Sequence, residues 1–389
     1  MSRSFQAVLL IAVASGALSA GAGTARAATY LQTDLVSDLS ALGAKITDSS
    51  LKNPWGLSFL PGSPIWVSDQ GSQITALYNV TGGLNVAKNA GLPSVAIPPA
   101  GAAGPTGQVA NGGSGFGVTG TGSSALFIFA NLNGSISAWN GSAGTTAVTE
   151  RTTPGATYTG LAINSTNSLL YAANDAGTGS IDVFNSSFAP ATNLPAGAFA
   201  TPAAIKTAGL VPFNVKDING AVYVTYAPSG HAAQTGATKG MGALAVFSED
   251  GTLKSSSFVA DELASPWGLA LAPGNWGQFG GDLLVGNFAF GDSVIDALNP
   301  TTWAVEGTIA IDDGGQSPGG LWSLAFGGGG NDGNPETLFI TDGLNGEADG
   351  LLASITTVPE PSTWAMLLVG FGGLALFAAR RRRPAPAVG

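Results

Sequence analysis

At 389 residues the chain is long enough for one large domain or two to three ordinary ones, yet only 10% of it is charged and 58 residues are glycine, which argues against a coiled coil or a charged disordered chain. Cysteine is absent and histidine occurs once, which excludes disulfides, thiolate zinc sites, iron–sulfur clusters, cysteine nucleophiles and any centre needing two histidines. Residues 28–358 carry 8 Lys+Arg against 23 Asp+Glu, a net charge near −15, so the basic footprint of a nucleic-acid binder is missing and no nucleic-acid partner is expected.

In chain order, residues 1–27 have the three parts of a secretory signal peptide. Arg3 gives a positive start, residues 8–18 are a short apolar core, and Ala25-Arg26-Ala27 is a small-x-small cleavage site before Ala28. The segment is too short to span a membrane, and it implies the Sec translocase and signal peptidase as partners.

Residues 28–357 repeat one pattern six times: an apolar strand containing a small residue, a second apolar strand ending in Asp or Asn, then a third strand. The first strands fall at residues 54–59, 116–118, 159–163, 212–215, 266–271 and 322–326. The mean period is near 53 residues, the segments are short and strand-like, and no helical periodicity intervenes. A unit of this size built from strands predicts an all-β fold, a six-bladed β-propeller. A two-sheet sandwich is the alternative, and six triplets in register favour the propeller. Residues 95–97 and 258–260 are expected as fourth strands of blades one and four, with long Gly/Ser/Ala-rich loops at 80–115 and 227–242. The last repeat lacks a fourth strand, so residues 30–36 are expected to pair with 351–355 and close the ring.

In such a meander, the start of the first strand and the end of the second share a face. Asn53, Asp69, Asn131, Asn174, Asp175, Asn214, Asn287 and Asp342 are therefore expected on one rim. Asp69, Asn131, Asn174, Asn287 and Asp342 are the candidate metal ligands, since a ring of such oxygens suits Ca²⁺. The alternative is structural, because Asp and Asn end strands by bonding nearby backbone. His231, in the loop 227–239, opens on the same face and is the one imidazole available as a general base. No Gly-x-Ser-x-Gly elbow supplies a nucleophile. Trp55, Trp267 and Trp322 occupy equivalent repeat positions, suiting blade packing or a sugar-stacking platform. Residues 327–334 are rich in Gly, Asn and Asp, but lack the regular spacing of a Ca²⁺ loop.

Residues 358–389 form the tail. Pro359-Glu360-Pro361 precedes a 16-residue apolar run at 364–379, slightly short of the ~20 residues of a usual span. Trp364 stands at one edge, and Arg380, Arg381, Arg382 and Arg383 at the other, which puts that side in the cytoplasm and the body outside.

This tail resembles the PEP-CTERM sorting signal of diderm bacteria, carried by Pro359-Glu360-Pro361, Ser362-Thr363-Trp364-Ala365, the apolar run and the arginines. The resemblance implies an exosortase as partner, cleavage near the Pro-Glu-Pro, and a cell-envelope or extracellular-matrix location in a bacterium that makes exopolysaccharide. The repeats resemble NHL-type propellers, best at Asn53-Pro54-Trp55-Gly56-Leu57 with Trp66-Val67-Ser68-Asp69. With Asp34-Leu35-Val36-Ser37-Asp38 and Pro212-Phe213-Asn214-Val215, residues 31–357 look like an uncharacterised family of six-bladed propellers that accompany this tail. Two functions stay open. One is a non-enzymatic binding or structural surface protein in a polysaccharide matrix. The other is a Ca²⁺-dependent propeller hydrolase or lactonase with its site at the channel mouth and His231 as base.

Overall fold

A computed structural model describes residues 30–99 and 104–358; the leader at 1–27, and the tail residues Pro359, Glu360, Pro361, Trp364 and Arg380 to Arg383, lie outside the described residues. Six sheets of three to five strands succeed one another along the chain as the blades of an all-β propeller. Their innermost strands are Pro54–Ser58, Pro105–Ala110, Tyr158–Ile163, Leu210–Ile218, Pro266–Leu271 and Pro318–Phe326. Tyr30–Ser37 lies antiparallel beside Asp349–Thr357 as the fourth strand of blade six, with Tyr30 opposite Thr357 and Ser37 opposite Leu351. Among the described residues no helix is long and apolar enough to cross a membrane.

The middle strands read as apolar runs because both of their faces are buried. Side chains alternate between the faces of a strand. In Ile65–Asp69, Trp66 turns toward blade two and stacks on Phe127 at 3.9 Å, whereas Ile65 and Val67 pack with Phe339 and Leu352 of blade six. The same alternation builds a separate apolar core between every pair of neighbouring blades.

At the centre the inner strands approach closely. A Cβ on Gly56 would lie 2.6 Å from Thr106 O of the next blade, and one on Gly268 would collide with Trp322 O. Only glycine fits such an approach. Asn214 takes the equivalent place in blade four, where its Nδ2 donates to Trp267 O of blade five at 2.7 Å.

Three sequence expectations need correction. The inner strand of blade two is Pro105–Ala110; Gly117–Val118 pairs instead with Ser123–Ser124 in a small separate hairpin. Pro105–Ala110 is nearly devoid of apolar signal because its polar side chains bond to neighbouring blades. Thr106 Oγ1 donates to Tyr158 O at 2.7 Å, and Gln108 Nε2 donates to Gly56 O at 3.2 Å and to Trp66 O. The fourth strand of blade four is Leu253–Ser257 rather than residues 258–260. Its sequence is polar because it faces solvent, while Val259 and Asp261 have positive φ, which a strand excludes. The loop 227–242 contains a short helix, His231–Thr235.

Candidate functional site

The candidate ligand residues do lie at the ends of second strands, and their bonds stay local. Asn174 Oδ1 accepts from Thr157 N at 3.0 Å and Ala176 N at 3.1 Å, and its Nδ2 donates to Asp182 at 3.2 Å. Asn287 Oδ1 accepts from Ala264 N at 2.9 Å, and its Nδ2 donates to Asp296 at 2.8 Å. Asn131 Nδ2 donates to Ser135 Oγ at 3.1 Å. Asn174 and Asn287 tie the turns of their own blades, whereas the Oδ1 of Asn131 is buried without a partner. Asp69 and Asp342 are buried; the Asp69 carboxylate has no hydrogen-bond partner, and that of Asp342 meets the Asp313 carboxyl. Burial raises both pKa values well above the usual range; Asp48 adds to this at Asp69, and Asp313 at Asp342. Among the described residues, no group of three or more His, Asp or Glu side chains could hold a metal ion. In the glycine-rich segment 327–334, Asp332 accepts from Gly62 N at 3.1 Å and from Gly330 N at 2.6 Å, pinning blade six to blade one.

What the fold does gather on this rim is a different set. The helix His231–Thr235 leaves blade four and reaches across the channel mouth. On one side Asp175 of blade three accepts from Gly230 N at 3.3 Å and from Gln234 Nε2 at 3.2 Å. On the other, His231 Nε2 meets Glu347 Oε2 of blade six at 2.8 Å. Glu347 Oε1 accepts from Asn53 Nδ2 of blade one at 3.1 Å, and that nitrogen also donates to Gln70 at 3.2 Å. Asn53 Oδ1 in turn accepts from Trp322 Nε1 at 3.0 Å. These groups line a bowl of 430 Å³ with Trp55 at its floor.

The electrostatics of the bowl follow from its contacts. The Glu347 carboxylate raises the pKa of His231 against a weaker opposing effect of burial. Burial pushes Asp175 up to about 6 despite its two donors, and its Oδ1 has no partner. Asp175 therefore titrates close to neutrality, and His231 above its ordinary value. Below the bowl the three equivalent tryptophans meet one another. Trp55 stacks on Trp322 with centroids 3.5 Å apart, and Trp267 packs edge-on against both. With Phe213 and Phe288 they plug the channel.

The rim and His231 were readable in the sequence. Glu347 was not, because it sits in the turn of blade six, three residues past the last strand-end apolar residue and outside any repeat position. Its φ of 69° is the local feature that aims it inward. Gln234 was hidden by the loop-like composition of the helix.

A family model described as the PEP-CTERM protein-sorting motif matches residues 357–383. No curated protein matches the chain. Among solved structures, the chain is similar to a structural-genomics protein of unknown function from Bacteroides thetaiotaomicron, at 11% identity and a TM-score of 0.49, covering 85% of this chain and 76% of that one. It is also similar to the Dos1 propeller, at 11% identity and a TM-score of 0.41, covering 80% and 70%. A third is a gluconolactonase from Xanthomonas campestris, at 15% identity and a TM-score of 0.34, covering 60% and 82%. The chain is thus a six-bladed β-propeller carrying a PEP-CTERM protein-sorting motif, which implies an exported, envelope-targeted protein processed by an exosortase.

Proposed function

We propose that this propeller is a non-catalytic binding protein of the cell surface, and that its bowl takes a hydroxyl-rich ligand such as the end of a matrix polysaccharide. The observation that carries the reading is the network His231–Glu347–Asn53, drawn from three blades and held over an aromatic floor. Planar amides and carboxylates beside an indole suit sugar hydroxyls and the apolar faces of a sugar ring. Asp175 lines the same bowl. The Ca²⁺-dependent hydrolase reading has less support, because the Asn174 and Asn287 oxygens are taken by backbone N–H groups and no three carboxylate or imidazole groups converge among the described residues.

In this reading residues 1–27 direct the chain to the Sec translocase and signal peptidase. The apolar run after Trp364 holds the tail in the membrane of a diderm bacterium, with Arg380 to Arg383 in the cytoplasm until an exosortase cuts. Retention of the purified full chain on extracted exopolysaccharide is the test. Asn53→Ala and Asp175→Ala should each reduce retention several-fold in variants that keep the wild-type melting temperature. Unchanged retention in both sinks the reading. Retention that disappears with EDTA and returns with Ca²⁺ favours the hydrolase.

A further inference from the structure

On the far side of the aromatic plug, the channel opens into a second cavity of 520 Å³, within the range of about 300–1,000 Å³ common for small-molecule sites. Its walls are the later halves of the six inner strands. At one level of the ring these contribute Ser58, Val109, Ala162, Ala270 and Ala325, and in blade four Lys216. Small neighbours leave space for this one long side chain, and its Nζ reaches across the channel to donate to Leu324 O of blade six at 3.2 Å. Half-buried Phe59, Ile163, Ile218, Leu271 and Phe326 give the wall its apolar surface, and Gln108, Asn214 and Ser323 add polar groups.

Lys216 lacks a counter-charge. Among the described residues no carboxylate lies within ion-pair distance of it. The other five inner strands bring no charged side chain to the cavity. Asp217, next in its own strand, accepts from Gly220 N at 3.0 Å and faces Glu249 and Lys254. An ammonium has three N–H donors, and one is used. Removing such an ion from water without a partner is costly, and the cost appears here as a pKa pushed down to about 8 by desolvation.

We propose that this cavity binds a small organic anion, an apolar body bearing one carboxylate, with Lys216 as its counter-ion. The carboxylate would accept the two remaining N–H donors, and the apolar body would lie against Phe59, Ile163, Ile218, Leu271 and Phe326. The site stands on the opposite face from the bowl and does not depend on it.

The charge logic fixes a pH signature. A bound carboxylate stabilises the ammonium form, so binding takes up protons near and above pH 8 and weakens as the free amine forms. Calorimetry of the purified full chain with phenylacetate and with phenylacetamide, at pH 7 and pH 9.5, tests this. Phenylacetate should bind at pH 7 and lose at least tenfold in affinity at pH 9.5. The amide should bind at least tenfold more weakly than the acid at pH 7. In Lys216→Met, acid and amide should become equivalent, and Asn53→Ala should leave phenylacetate binding unchanged. Equal binding of acid and amide to the wild type, an affinity independent of pH, or no binding of phenylacetate at millimolar concentration overturns the proposal. The wild-type comparisons decide the matter even if Lys216→Met fails to fold.

Discussion

Asp175 and His231 face each other's supports across one short helix, and their protonation pulls stability in linked directions. Asp175 has a folded pKa near 6 against an unfolded value near 4. The folded state therefore binds more protons between these values, so stability falls as pH rises from about 4 to 6 and the penalty is complete above that. Asp175→Asn should remove this slope and raise stability at pH 7, as read from urea midpoints at a series of pH values. The His231 pair acts with a raised pKa, so its contribution is full below about 6.5 and lost as pH rises through the folded value. With the His231 side chain 59% exposed, that contribution is small. Since His231 is the one histidine in the chain, its imidazole resonances titrate without overlap. NMR should give a pKa above 6.5, and Glu347→Gln should lower it; a value unmoved by that substitution would show that the ion pair does not form in solution.

At the scale of elements, what could be read depended on whether burial was apolar. Ile65–Asp69, Phe127–Asn131 and Leu283–Asn287 announce themselves because both faces of a middle strand need hydrocarbon. Pro105–Ala110 is buried to the same purpose by hydrogen bonds to other blades, partners that no local pattern reveals. The site was legible to the same extent. Strand-end Asp and Asn positions located the rim: Asn53 and Asp175 do line the bowl, Asn174 and Asn287 serve turns, Asp69 and Asp342 are buried, and the other converging groups came from a short helix and from the blade-six turn. Gln108 tests this account of polar burial. Gln108→Leu keeps the size but leaves Gly56 O and Trp66 O without their donor. A loss of about 1–3 kcal/mol is expected for buried carbonyls stranded in this way, read as a lower urea midpoint with an unchanged slope. A neutral result would mean water reaches those carbonyls.

The propeller as a whole joins the first and last of its described strands in one sheet. Tyr30–Ser37 pairs along Asp349–Thr357, and further bonds reinforce the junction. Lys52 bridges Asp38 and Asp349, Asp38 accepts from Gly350 N at 2.8 Å, and Tyr30 donates to Trp276 O at 3.2 Å while accepting from Phe279 N at 3.0 Å. Leu35 and Val36 are wholly buried in the core between blades six and one. Without this strand, Asp349–Thr357 would become a long apolar edge, and such an edge recruits other strands. A chain lacking residues 30–37 should therefore melt earlier and self-associate, seen as a faster-eluting species in size-exclusion chromatography. Leu35→Ala, which spares the backbone pairing, should cost about 2–5 kcal/mol through its cavity and leave the protein monomeric. The two outcomes separate the strand's two roles. If the truncated chain stays monomeric at the wild-type melting temperature, the last blade is complete without it, and the sixth sheet owes its stability to its neighbours alone.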